Sequence, residues 1–160
     1  MAHESELREQ LVHLLKGGHA HVDFDAAIAD LKPEHRGRKP AGLPFSIWRL
    51  VEHLRIAQWD ILEFSRDAKH VSPEWPEGYW PAGDAPASDA EWTKTVEAFR
   101  SDLAAMKALV SDPKTDLFAR IPHGEGQTIL REALVLGDHN SYHIGQIVLV
   151  RRMLGDWSKG

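Results

Sequence analysis

The sequence has no cysteine among its 160 residues. A chain without cysteine forms no disulfide, has no thiolate metal ligand or iron–sulfur cluster, and offers no cysteine nucleophile. Any metal site must therefore use nitrogen or oxygen ligands. The chain also lacks a glycine-rich phosphate loop, a serine nucleophile elbow and an HExxH motif. These absences exclude most of the common catalytic signatures, but not a histidine-based metal site.

Long apolar runs and basic stretches are missing as well. No apolar run approaches the roughly 20 residues of a membrane-spanning helix, so we expect a soluble protein without membrane contact. The net charge is −5, and lysine and arginine are scattered rather than grouped, which argues against a nucleic-acid partner. The segment 1–6 has acidic residues where a secretory signal has basic ones, and no apolar segment follows it. We therefore expect a cytoplasmic location.

Apolar residues recur at helical spacing in four segments, and no convincing strand pattern or repeat is found. Hydrophobic residues make up 42% of the chain, enough for the core of one domain covering 1–160. The predicted helices cover residues 4–31, about 46–67, 88–112 and 128–154. Gly17-Gly18 interrupts the first segment and marks a kink or a close helix contact. Ser46, Ser88 and Thr128 are the predicted N-caps of the other three.

These elements predict an all-α fold, a four-helix bundle with long inter-helix connections. Connections of roughly 14 to 20 residues exceed the short turns of a simple up-down bundle, so we expect at least one crossover. Segment 70–88 contains four prolines and several aromatic residues, and we expect it to pack down as a lid. Trp48, Trp59 and Trp92 lie at helical spacing and are interpreted as core. Trp75 and Trp80, in the lid segment, are the candidates for a pocket wall.

Two histidines of the last predicted helix stand out among the ten in the chain. His139 and His143 lie four residues apart, which puts both imidazoles on one helix face, about 5–6 Å apart at Cβ and within reach of one ion. His53 shares the inward face of the second helix. Three neutral imidazoles that meet would form an open Zn²⁺-type site with room for water or substrate. Gln146 and Asp60 lie one and two turns away and are candidates to orient a ligand or a bound water.

Simpler interpretations remain open for the same residues. One histidine of the pair can be a hydrogen-bonded core residue while the other is exposed, and a purely structural bundle would bind no stoichiometric metal. Gln146 and Asp60 can equally be surface or capping residues. The remaining histidines have no partner at metal spacing, or point to different sides of a helix, and are interpreted as non-ligands. These six are His13, His19, His21, His35, His70 and His123, and the seventh, His3, lies close to the start of the sequence.

Two segments resemble a known family. LPFSIWRLVEHL at 43–54 and DHNSYHIGQI at 138–147 are similar to segments of the DinB-like (YfiT-like) metalloenzyme superfamily. The likeness extends over almost the whole chain, and its most specific part is the final His-x-Gly-Gln-Ile. The resemblance implies a four-helix bundle, commonly a homodimer, with a divalent ion such as Zn²⁺ or Ni²⁺ held by His53, His139 and His143.

Relatives implied by this resemblance include thiol S-transferases that use low-molecular-weight thiols, a thiol-dependent isomerase and metal-dependent hydrolases. We therefore expect a metal-dependent enzyme with a small-molecule substrate, in which the ion lowers the pKa of a bound thiol or water. Zn²⁺ is the first candidate ion, and Ni²⁺ or another transition metal the alternative. The general base is unassigned. The competing hypothesis is a metal- or small-ligand-binding bundle without catalytic turnover.

Overall fold

The computed structural model describes residues 2–157, and within that range the chain is helical. The α-helices are α1 (Ala2–Lys16), α2 (Phe24–Ile28), α3 (Ile47–Arg66), α4 (Asp89–Ser111) and α5 (Ile129–Met153). Two single 3-10 turns lie at Pro33–His35 and Glu77–Tyr79. The part of the chain that is described has no β-strand, only one isolated bridge between Arg120 and Thr128. The predicted all-α four-helix bundle is confirmed by α1, α3, α4 and α5.

The three longest helices begin at the predicted caps. In each case the side-chain oxygen of the cap residue accepts a hydrogen bond from the backbone N–H three positions further on, which satisfies an otherwise unpaired donor. Ser46 accepts from Arg49, Ser88 accepts from Glu91, and Thr128 accepts from Arg131. Local side-chain chemistry therefore fixes where α3, α4 and α5 begin.

The first predicted helix is wrong in its extent. The expected segment 4–31 is divided, because α1 ends at Lys16 and a separate short helix, α2, follows. Gly17 and Gly18 have φ angles of +69° and +81°, a left-handed conformation that a right-handed helix cannot continue. Asp23 then caps α2 by accepting from the backbone N–H of Ala26. The glycine pair is a helix terminus rather than a kink.

Two clusters of buried side chains hold the helices together. One lies among α2, α3, α4 and α5, where the rings of Phe24 and Phe99 stack at 3.9 Å. The other lies mainly among α1, α4 and α5. Trp48 and Trp92 belong to the first cluster, as predicted, whereas Trp59 is only partly buried and contacts the ring of His70 edge-on. The core prediction for Trp59 is therefore wrong.

Helix α3 packs against both α4 and α5, and α1 packs against the same two helices. The connection 67–88 joins α3 to α4, and 112–128 joins α4 to α5. Within residues 2–157, no helix is long and apolar enough to cross a membrane. Because α3 and α5 are neighbours, side chains on their facing sides can meet. The assignment of 1–160 to one domain stays a prediction, and its four terminal positions lie outside the described residues.

A buried arginine ties α1 to the end of α4. The Arg8 guanidinium donates to the backbone carbonyls of Val110, Asp112 and Thr115 at 2.8, 3.0 and 2.6 Å, and to the Glu4 carboxylate. The carbonyls at a helix C-terminus lack donors within their own helix and attract positive charge. Arg8 supplies both the donors and the charge.

Replacing this arginine should therefore destabilise the fold. We expect Arg8→Met to lower the free energy of unfolding by about 3 kcal/mol, because three carbonyls lose a charged donor. Arg66→Met is the matched control, since Arg66 is exposed and pairs with Glu63 within α3. It should change stability by less than about 0.5 kcal/mol. Denaturant unfolding in the presence of a chelator measures both values, and equal losses would contradict this role for Arg8.

Candidate metal centre

Three imidazoles converge between α3 and α5. His53 comes from α3, and His139 and His143 come from successive turns of α5. The Nε2 atom of His53 lies 3.0 Å from Nε2 of His139 and 3.2 Å from Nε2 of His143. Three ligands of a tetrahedral ion with Zn–N bonds of about 2.0–2.1 Å are about 3.3 Å apart. The three predicted residues are therefore brought together at a spacing that can hold one ion.

Hydrogen-bond acceptors fix the tautomer of two of these rings. Nδ1 of His53 donates to the backbone carbonyl of Tyr79 at 2.8 Å, and Nδ1 of His143 donates to Oε1 of Gln146 at 2.7 Å. In a neutral imidazole with the proton on Nδ1, Nε2 carries a lone pair. The Nε2 atoms of His53 and His143 are therefore two acceptors facing each other. A cation between them removes this repulsion, so the donor set fits a metal ion.

Burial keeps the rings neutral. His53 is 5% exposed and His143 8% exposed, and His139 is partly buried. Burial lowers the pKa of His53 to about 4, an effect only partly opposed by the hydrogen bond to Tyr79. Burial also lowers the pKa of His139 to about 4, helped by His143 and His53 and opposed by a hydrogen-bonding effect of Asn140. The pKa of His143 is lowered by burial too, against the effect of Gln146. All three imidazoles can thus offer a lone pair at neutral pH.

The connection 67–88 forms one wall of a cavity beside the three histidines. The ring of Trp80 stacks on His53 with centroids 3.9 Å apart and planes 3° from parallel. The cavity has a volume of about 360 Å³, and Trp75 and Tyr79 also line it. The prediction that Trp75 and Trp80 form a pocket wall is confirmed, and the aromatic segment packs against the site as expected of a lid.

Asp60 anchors this wall to α3. One carboxylate oxygen accepts from the Tyr79 hydroxyl at 2.6 Å, and the other lies 2.7 Å from Nε2 of His70. Burial and the Asp60 carboxylate raise the pKa of Tyr79 to about 12, so its hydroxyl stays a donor. Asp60 lines the cavity, but its oxygens bind His70 and Tyr79, so the structure shows it orienting protein groups, whereas the prediction was that it orients a ligand or a bound water. Asp60 therefore affects the site indirectly, by fixing the position of the segment that lines the cavity.

Sequence reasoning identified Gln146 but missed Tyr79. Gln146 lies three positions from His143 on the same helix, which is a recognisable signal. Tyr79 contributes a backbone carbonyl from an irregular segment, and no residue type marks such an acceptor in a sequence. In the part of the chain that is described, the other histidines lie outside the cluster. His35 pairs with Asp156, for example, and His123 faces the backbone carbonyl of Phe64.

The low histidine pKa values predict how the stability of the metal-free protein depends on pH. Histidine in the unfolded chain titrates near pH 6.5, whereas His53 and His139 titrate at about 4 in the folded protein. Between these values the unfolded chain binds protons that the folded protein does not. The free energy of unfolding should therefore be largest above pH 6.5 and fall as the pH decreases toward 4.

Denaturant unfolding in a chelator, repeated from pH 7.5 down to about 4.5, measures this slope. In the double variant His53→Leu with His139→Leu, the free energy of unfolding should change less steeply with pH. Unfolding of the variant should take up as much as one proton fewer for each histidine removed. Other titrating groups are common to both proteins and cancel in the comparison. Identical slopes would show that these two rings are not held neutral in the folded state.

Comparison with known families agrees with the geometry. The sequence profile of the DinB superfamily matches residues 19–147, most of the chain, and that range includes all three histidines of the cluster. Comparison with curated proteins and with solved structures gives no match. The resemblance first indicated by the two histidine segments is thereby confirmed. The chain belongs to the DinB superfamily.

Proposed function

We propose that the chain is a divalent-metal-dependent enzyme in which His53, His139 and His143 are the protein ligands among the described residues. The observation that carries this proposal is the 3.2 Å contact between the Nε2 atoms of His53 and His143, both of which are acceptors. Family membership supports it. Three neutral nitrogen ligands suit Zn²⁺ first and Ni²⁺ or another transition metal second, and they leave a coordination position for an exogenous group.

The donor set and the absence of cysteine support one class of reaction. When bound, such an ion supplies a Lewis acid that lowers the pKa of a coordinated thiol or water. The protein has no thiol of its own, so sulfur chemistry here requires a low-molecular-weight thiol as co-substrate. We propose S-transfer to, or hydrolysis of, a small electrophile. The roughly 360 Å³ cavity walled by Trp75, Tyr79 and Trp80 supports a small molecule as the substrate.

One observation favours the alternative, a metal- or small-ligand-binding bundle without turnover. Asp60 is the carboxylate that lines the described cavity, and both of its oxygens are held by Tyr79 and His70. A general base must reach the proton that it removes, and a carboxylate whose two oxygens each already bind a protein group is poorly placed to do so. Turnover therefore requires that the thiol or water lose its proton to solvent or to a second substrate.

We also propose a homodimer in the cytoplasm. Tyr142, Leu149 and Met153 on α5 have exposed fractions of 63%, 47% and 49%, an apolar surface that a second copy would cover. We expect sedimentation velocity to give twice the chain mass, and Leu149→Glu to shift the protein to the monomer. A monomeric wild-type protein at micromolar concentration would contradict the dimer without affecting the metal site.

Metal content tests the central proposal. Untagged protein should purify with, or take up, about one divalent ion per chain. His143→Ala should lower Zn²⁺ affinity by more than the 10–100-fold typical of an outer-shell partner, with its helix content retained. His123→Ala is the matched control, because His123 is exposed and lies outside the cluster. It should bind Zn²⁺ like the wild type.

The same proteins distinguish an enzyme from a binding bundle. Zn²⁺-loaded wild type and His123→Ala should conjugate a model electrophile to a small thiol, or hydrolyse it, over many turnovers, and His143→Ala should not. Stoichiometric Zn²⁺ without turnover across a panel of thiols and electrophiles would favour the binding bundle. Absence of stoichiometric metal in the wild type would reject both functions.

A further inference from the structure

Two buried amides connect the histidine cluster to α4, a helix that contributes none of the three imidazoles. Gln58 on α3 is fully buried, and Asn140 on α5 is 5% exposed. The Gln58 side chain donates from Nε2 to the backbone carbonyl of Phe99 at 2.6 Å. The Asn140 side chain donates from Nδ2 to Oε1 of Gln58 at 3.0 Å. The two amides form a chain of hydrogen bonds across α4, α3 and α5.

The direction of this chain is fixed by its first member. A backbone carbonyl can only accept, so Gln58 must turn its NH₂ toward Phe99 and its oxygen toward Asn140. Asn140 must then turn its own NH₂ toward Gln58, which leaves its Oδ1 on the remaining side. Among the described residues Oδ1 of Asn140 has no hydrogen-bond partner, although it is buried.

The neighbouring residue, His139, has an unpaired ring nitrogen. Nδ1 of His139 is likewise buried and without a hydrogen-bond partner in the described part of the chain. Buried polar atoms are rarely left unpaired in native proteins. Neither atom makes a hydrogen bond of normal geometry, although the Asn140 side chain lies near enough to His139 to raise the pKa of its ring.

We propose that Asn140 is a positioning residue for the metal site, whose Oδ1 accepts a hydrogen bond from Nδ1–H of His139 when Nε2 of His139 is a ligand. This inference rests on the proposed function. It gives His139 the kind of oxygen acceptor that Tyr79 gives His53 and Gln146 gives His143. The Phe99 carbonyl, acting through Gln58 and Asn140, thus keeps the proton on Nδ1 of His139 and the lone pair on Nε2.

Two substitutions of Asn140 separate this role from a packing role. Asn140→Leu keeps the approximate shape and removes the acceptor, and it should weaken Zn²⁺ binding about 10–100-fold in a competition titration. Asn140→Asp keeps an oxygen facing His139 while disturbing the contact with Gln58. It should lower the melting temperature of the metal-free protein yet bind Zn²⁺ within a few-fold of the wild type.

A core variant controls for loss of stability alone. Met106 is fully buried in the cluster that packs α1 against α4 and α5, and none of the three histidines belongs to that cluster. Met106→Ala should lower the melting temperature at least as much as Asn140→Leu and leave Zn²⁺ affinity unchanged. If Met106→Ala weakens Zn²⁺ binding as much as Asn140→Leu does, the effect is one of stability, and the positioning role is rejected.

A spectroscopic readout needs no substitution. In Zn²⁺-loaded wild-type protein, ¹⁵N spectra of the histidine rings should show His139 coordinated through Nε2, with an Nδ1–H protected from solvent exchange. That protection should be lost in Asn140→Leu. Coordination of His139 through Nδ1, or unchanged Zn²⁺ affinity of folded Asn140→Leu, would overturn the inference while leaving the metal site intact. Failure of the wild type to bind Zn²⁺ would instead reject the proposed function itself.

Discussion

The contact on which the rest of this structure depends is the approach of two unprotonated ring nitrogens, Nε2 of His53 and Nε2 of His143, to 3.2 Å. Each ring has its single proton committed to an oxygen on the far side, so neither can donate to the other. Two lone pairs held this close repel each other unless a positive charge lies between them. The packing of α3 against α5 creates this contact, so the site depends directly on the fold.

The surrounding structure serves to hold that arrangement. The connection 67–88 gives His53 both a hydrogen-bond acceptor and the stacked ring of Trp80, and Asp60 ties the same segment back to α3. Burial keeps the rings neutral, and a cavity of about 360 Å³ lies beside them. One irregular segment thus positions the His53 ring and lines the cavity beside the three histidines. The absence of cysteine limits sulfur chemistry to a thiol from outside the protein.

The starts of the long helices and the pairing of His139 with His143 could be predicted from the sequence, because their signals are local. Serine and threonine caps mark the starts of α3, α4 and α5, and the four-residue spacing of His139 and His143 puts both rings on one face of a helix. The first helix was overextended because its apolar spacing continues past Gly17, and only the left-handed backbone angles of the glycine pair show the break. The wall residue Tyr79 acts through its backbone carbonyl, which no sequence pattern reveals.

The amide chain shows a second limit of sequence reasoning. Gln58 and Asn140 are far apart along the chain, and an isolated glutamine or asparagine in a helix has no distinctive pattern. Only the packing of three helices gives their hydrogen bonds a direction. Hydrogen bonds between residues far apart in sequence depend on tertiary structure. The helices on which Gln58 and Asn140 lie can be predicted from local periodicity.

The most direct test of metal binding by the three histidines is anomalous diffraction at the zinc edge from crystals of the Zn²⁺-loaded, untagged protein. We expect one strong peak between α3 and α5, about 2.0–2.1 Å from the Nε2 atoms of His53, His139 and His143. A peak bound by fewer than three of these nitrogens, or located elsewhere on the protein, would contradict it.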